Sequence, residues 1–149
     1  MDRSFFTSLL FDEYATGNAV AIIVLVAAVP VLAHDLNVVS SAQAALNGLI
    51  RGGLSAVAAW AVATRVIGRD GRIPTTFRLT GFAHIAFIPM MAGPWVRDLA
   101  PMLLLGSLAW YFLVMRVVAA VQFDLEGQTT MQVAGAAAAA WFALLIVFP

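Results

Sequence analysis

The chain has no cysteine and no lysine, and only 11% of its 149 residues are charged. Missing thiols exclude disulfides, cysteine-held metals and thiol catalysis. The formal charge is zero, so no electrostatic footprint for nucleic acid is present, and no polybasic tail suggests a lipid-surface tether. Acidic residues are absent from the long apolar runs, which removes the buried carboxylates that a proton relay or cation path uses. Catalytic motifs are missing as well. There is no P-loop, no G-x-G-x-x-G and no H-E-x-x-H; Ser55 and Ser107 lie in GGLSAV and LLGSLAW, outside any nucleophile-elbow context. The chain is expected not to be an enzyme.

What is present is apolar surface. Hydrophobic residues make up 62% of the chain, more than a soluble domain of this length can hide, whereas a bilayer solvates apolar side chains and demands only internally paired backbone. Helices follow, each needing about 20 mostly apolar residues to cross the hydrocarbon core. The sequence divides into five such segments, at 16–33, 44–68, 76–92, 100–123 and 131–148, within a single membrane domain over 1–149. The predicted fold is an all-α polytopic membrane helix bundle with five transmembrane helices. Ahead of the first, MDRSFFTSLLFDEY lacks the ordered regions of a secretory signal, so the first span is expected to be retained. Phe5, Phe6, Leu9 and Leu10 can share one face there, which suits a short helix lying at the interface.

Arginine sets the orientation. Arg3, Arg65, Arg69, Arg72 and Arg78 flank the N-terminus and the connection between spans two and three, against Arg97 alone in the odd-numbered connections. This bias predicts a cytoplasmic N-terminus and an outside C-terminus, with Arg65, Arg69, Arg72 and Arg78 as topology anchors. Arginine without lysine, beside abundant alanine, fits a high-GC bacterial source, and hence an inner-membrane location.

Few polar groups remain inside the predicted spans. Arg51 and Arg116 each lie about 10 Å within them by helical rise, and each can snorkel or bind an anionic lipid or partner. For Arg51, Asp35 and Asp98 are alternative partners; for Arg116, Asp124, Glu126 and Asp70 are. Gly48 and Gly52 form a GxxxG in span two, suited to close helix packing within the chain or to self-association. Pro89 interrupts span three and predicts a kink. His84, among Gly81, Ala83 and Ala86, is a helix-packing histidine or, alternatively, an axial ligand for a tetrapyrrole. No cofactor is otherwise expected.

The strings FRLTGFAHIAFIP at Phe77 to Pro89, WYFLVMRVVAAVQFDLEGQTTMQVA at Trp110 to Ala134, and the looser LNGLIRGGLSAVAAWAVATRVIG before them carry a resemblance. From the second span onward the chain resembles the bacterial form of the Yip family, the Ypt-interacting-protein domain of five-span membrane proteins. Arg78, Gly81, Phe82, Ala83, Trp110, Asp124 and Ala134 match that family's order of landmarks. His84 departs from it, and the basic residues usual near the last loop are reduced to Arg116, with Gln122, Gln128 and Thr129 instead. The resemblance implies an integral membrane protein with no known catalytic residues. The expected function is non-enzymatic action through helix packing with membrane proteins or lipids. The alternatives are an accessory subunit of a larger, pigment-bearing membrane complex, and a small permease using the Pro89 kink.

Overall fold

The structure, a computed structural model, describes residues 3–11 and 14–147. Among them there is no strand. Phe148, the expected end of the last span, lies outside the described residues.

Helix α1 (Arg3–Phe11) forms where the N-terminal amphipathic pattern places it. Its apolar face turns into the protein: Phe6 and Leu9 are buried in the common core, while Phe5 meets Phe82 edge-on at 6.0 Å. Helix α2 (Ala15–Asp35) ends where Leu36 turns left-handed at φ 52° and returns its N–H to the Leu32 carbonyl at 2.9 Å.

Helix α3 (Val38–Ala61) begins earlier than the expected residue 44. The polar stretch that reads as a connection is largely its first turns, because Asn37 Oδ1 accepts from the Val39 and Ser40 N–H groups at 2.9 and 3.2 Å. At its far end the helix widens into a π-helical turn, Val62–Val66, and the chain breaks at Gly68 with φ +80°. Trp60 Nε1 donates to the Gly71 carbonyl at 3.0 Å, and the Arg65 guanidinium lies 5.7 Å over the same indole. Those contacts fold the arginine-rich turn back against α3.

The third segment corrects the expectation of one kinked helix. Helix α4 (Ile73–Ala83) is ordinary, but His84–Trp95 winds as a 3₁₀ helix containing Pro89 and Pro94. Runs of this winding beyond three or four residues are uncommon. Two prolines help to explain it, since a proline ring crowds the carbonyl four residues back in an α-helix and lacks the N–H to bond it. A short 3₁₀ turn, Arg97–Leu99, leads into α5 (Ala100–Phe123), and a turn with left-handed Asp124 and Gly127 leads into α6 (Gln128–Val147).

One contact shows that the third segment and α5 run antiparallel. Gln122 Nε2 donates to the Thr76 hydroxyl at 2.6 Å and to the Arg72 carbonyl at 3.3 Å, bringing the end of α5 beside the start of α4. At the opposite end an Arg97 nitrogen lies 3.4 Å from His34 Nε2. Four helical stretches are long and apolar enough to cross a membrane: Ala15–Asp35, Val38–Val66, Arg97–Phe123 and Gln128–Val147.

With lipid as apolar as leucine, such helices associate through close packing and interhelical hydrogen bonds. Both are visible. A Cβ built at Gly48 would stand 2.7 Å from Ala27 Cβ, and one at Gly81 would stand 2.5 Å from Ala19 Cβ, so α2 rests on glycines of both α3 and α4. Gly48 and Gly52 thus both pack against α2 within the chain, one of the two uses expected of them. Deeper in, Ser55 on α3 donates to the Ala137 carbonyl of α6 at 2.9 Å and lies 2.7 Å from the Tyr111 hydroxyl of α5.

Candidate functional site

A cavity of about 300 Å³ opens among α2, α3, the 3₁₀ segment and α6. Ile23, Val26, Ala27 and Pro30 give it one apolar wall; Trp141 and Leu145 give the opposite one. Its remaining edge comes from the unusual winding. At three residues per turn, positions three apart fall in line. His84, Phe87, Met90 and Gly93 thus form one straight edge, and all four line the cavity. In an α-helix the same residues would spiral away from one another.

Two polar side chains reach this space. The Arg51 guanidinium lies 5.6 Å over the Trp141 ring, a cation–π placement that suits a charge among apolar groups. The Trp141 ring in turn stacks on Phe87, with centroids 4.1 Å apart and planes 11° from parallel. Phe87 then meets Tyr111 and His84 at 5.1 and 5.6 Å, so an aromatic chain runs from Arg51 to His84 around the cavity.

His84 is 3% exposed, and its Nδ1 lies 2.8 Å from the Thr80 carbonyl. A carbonyl can only accept, so Nδ1 carries the ring proton, and in the neutral imidazole Nε2 is left as an acceptor. Nε2 has no hydrogen-bond partner among the described residues. A buried polar atom of this kind calls for an explanation, such as local strain or a bound water or ion.

The surroundings of His84 do not fit a tetrapyrrole. Its Cε1 and Nε2 face the α3 backbone, each 3.3 Å from a Cβ built at Gly52, and Tyr111 stands edge-on to the ring at 5.4 Å. A macrocycle centred on Nε2 would occupy the space of α3 itself. Small residues near His84 instead let helices approach one another. The described residues also hold no group of three or more metal-ligating side chains.

The other expected site residues fall elsewhere. Arg116 and Glu126 line an open groove of about 590 Å³ between α5 and α6, with Trp110 at its rim, so Arg116 belongs to a different surface from Arg51. Pro89 shapes the 3₁₀ segment without lining the cavity, whereas Pro94 does line it. Gly48 lines the cavity, and Gly52 backs His84. Arg65 packs on Trp60, while Arg69 donates its backbone N–H to the Ala63 carbonyl at 2.9 Å. The Arg72 carbonyl accepts from Gln122.

Arg78 does more than mark an end of a span. Its Nη1 donates to the Leu9 and Leu10 carbonyls at 3.1 and 3.2 Å, and its Nε to the Thr16 hydroxyl at 3.2 Å. Those carbonyls close α1, so one guanidinium satisfies the C-terminus of one helix and ties it to the first turn of the next.

The sequence reading singled out Arg51, His84 and Gly48 but did not join them, and it missed Phe87, Met90 and Trp141 as cavity residues. No sequence signal singled them out, since Ile85, Ile88 and Met91 repeat at the same spacing as His84, Phe87 and Met90. Comparison of the chain with protein-family models, with curated proteins and with solved structures finds no match.

Proposed function

We propose that this chain is a non-catalytic, five-span membrane protein of the Yip-like type, multi-pass in the inner membrane of a bacterium, whose task is to hold a membrane lipid. The observation that carries this reading is the cavity, whose lining is apolar apart from Arg51 and His84. Apolar walls suit a lipid tail, and two convergent polar groups suit a single head.

Five crossings, with the N-terminus cytoplasmic, agree with the arginine distribution. They also agree with the length of the third segment. The 11 residues of α4 rise about 16 Å and the 12 of the 3₁₀ segment about 24 Å, together enough for a core of about 30 Å.

Gentle purification from native membranes, followed by mass spectrometry of bound lipids, tests the reading. Native protein is expected to carry lipid species enriched over the bulk membrane. Gly93→Phe, which places a ring in the cavity where a Cβ at Gly93 has only Ala100 within 4 Å, at 3.9 Å, is expected to lose that enrichment. Identical lipid profiles for the two would count against lipid holding.

A further inference from the structure

We infer that the open groove between α5 and α6 seats a phosphatidylethanolamine molecule, a lipid whose head carries one phosphate and one primary ammonium. Arg116 takes the phosphate and Glu126 the ammonium. Such a seat requires that α5 and α6 cross the membrane, which is part of the function proposed above, and it is independent of what fills the cavity beside Trp141.

Arg116 and Glu126 are the two charged side chains that line this groove, and the protein occupies neither. Among the described residues Arg116 makes no hydrogen bond, ion pair or ring contact. Its Nε is its one buried, unpartnered nitrogen, so binding falls to the terminal Nη groups. Glu126 is exposed, and the bond it accepts, from the Thr129 hydroxyl at 2.7 Å, goes to its backbone carbonyl and leaves the carboxylate open. The two charges differ in depth. Arg116 stands about 10 Å before the end of α5 by helical rise, among Leu113, Val117 and Ala120, whereas Glu126 lies beyond that end, at the turn. A cation among apolar side chains calls for a counter-charge, and a guanidinium presents paired N–H donors that match a phosphate. A phosphate alone would also face the Glu126 carboxylate, which repels it. An ammonium on the outer side of the phosphate removes that conflict and donates its N–H groups to the carboxylate. In phosphatidylethanolamine the phosphate lies on the glycerol side and the ammonium outermost, the same order as Arg116 and Glu126 along the groove. Phosphatidylglycerol leaves the carboxylate without a cation, and phosphatidylcholine offers it a quaternary nitrogen with no N–H. An acyl chain continues along the groove past Leu113 to Trp110, which are 55% and 42% exposed, over a floor that includes the buried Val114.

Photolabelling reads this groove separately from the cavity. The full-length chain in nanodiscs would receive trace phosphatidylethanolamine with a photoreactive diazirine in one acyl chain, and separately phosphatidylcholine and phosphatidylglycerol with the same chain; adducts would be mapped by mass spectrometry. Phosphatidylethanolamine is expected to label positions 110–120 about fivefold more than either of the others, and its unlabelled form to compete that labelling away. Arg116→Gln is expected to abolish the excess, and Glu126→Gln to shift it to phosphatidylglycerol. The comparison of three lipids uses only the native chain, so it holds even if a variant folds poorly. Equal labelling by all three would overturn the seat and leave ordinary boundary lipid beside a snorkelling arginine. An excess of phosphatidylglycerol would overturn the ammonium in favour of an anionic head. Adducts at Ile23 or Trp141 report the cavity instead, so either site can fail without the other. No labelling of α5 or α6 by any of the lipids would overturn both the seat and the crossing of the membrane by these helices.

Discussion

Ser55 Oγ and the Tyr111 hydroxyl lie 2.7 Å apart where α3 and α5 meet, although 56 positions separate them in sequence. The direction of the bond follows from its neighbour. Ser55 uses its one proton on the Ala137 carbonyl at 2.9 Å, so the tyrosine must donate. The pair therefore joins three helices through one serine. Tyr111→Phe leaves the Ser55 to Ala137 bond intact, whereas Ser55→Ala removes both bonds and strands a buried phenol. Interhelical bonds of this kind contribute about 0.6 kcal/mol on average and about 1.7 at most. Ser55→Ala is thus expected to lower stability more than Tyr111→Phe, and the double variant to be more stable than Ser55→Ala alone, because no buried phenol is left without a partner. Unfolding in mixed micelles measures this; a larger loss for Tyr111→Phe would contradict the assigned direction.

Glycines that look alike in sequence are expected to behave oppositely. Gly81→Ala drives a methyl to 2.5 Å from Ala19 Cβ and 3.1 Å from its Cα, so α2 must move. Overpacking of this kind costs about 1–3 kcal/mol. Gly106 on α5 has nothing within 4 Å of a built Cβ, and Ala there gains up to about 1 kcal/mol of helix propensity. Thermal denaturation in detergent should order the proteins as Gly106→Ala, native, Gly81→Ala, from most to least stable.

Leu36 holds φ at 52° and is 82% exposed, so its side chain brings little packing to offset a left-handed backbone. That conformation costs an ordinary residue about 1–2 kcal/mol. Leu36→Gly is expected to stabilise the protein and Leu36→Val to destabilise it, measured by the same denaturation. A drop in stability with glycine would show that the leucine side chain matters more than the backbone.

Loss of the Arg78 guanidinium should free α1 without unfolding the bundle. In Arg78→Ala, amide exchange is expected to rise across 3–11 and around Thr16 while α5 and α6 stay protected. Lysine offers a point charge in place of the guanidinium fork, so Arg78→Lys should restore protection only in part. Unchanged exchange in α1 would show that burial of Phe6 and Leu9 suffices to hold it.

The absence of cysteine makes orientation directly measurable. Single cysteines replacing the exposed Asp35 and Asp98 are expected to react with an impermeant maleimide from outside the cell. Cysteines replacing the exposed Asp70 and Glu126 should react only after permeabilisation. Labelling of positions 70 and 98 from the same side would remove the third crossing.

Helical segments and their approximate ends were legible because long apolar runs leave the backbone no alternative to internal pairing. The start of α3 was not, because His34 to Gln43 reads as a polar connection until Asn37 is seen as a cap. Arg51, His84 and Gly48 stood out by chemistry, since charge and small size are rare or telling inside apolar helices. Their convergence was hidden by the winding of His84–Trp95: a period of 3.6 turns each third residue further from His84, by about 120° at Met90, and only a period of three keeps the edge straight. Arg78 was read through its charge and as a landmark of the resemblance, whereas its donors meet the carbonyls of α1, 69 and 68 positions away in sequence.

The winding of His84–Trp95 also makes the cavity a matter of torsion. In an α-helix each step of three residues falls about 60° short of a full turn, whereas in a 3₁₀ helix it closes the turn. Rewinding from His84 to Gly93 would therefore accumulate about 180°, carrying Gly93 to the side opposite His84, and the 12-residue segment would shorten by about 6 Å. Half a rotation along one strut would dismantle the wall that Phe87 and Met90 now complete. Twist and hollow are a single degree of freedom here, so a molecule lodged against that edge acts as a lock on the helical pitch.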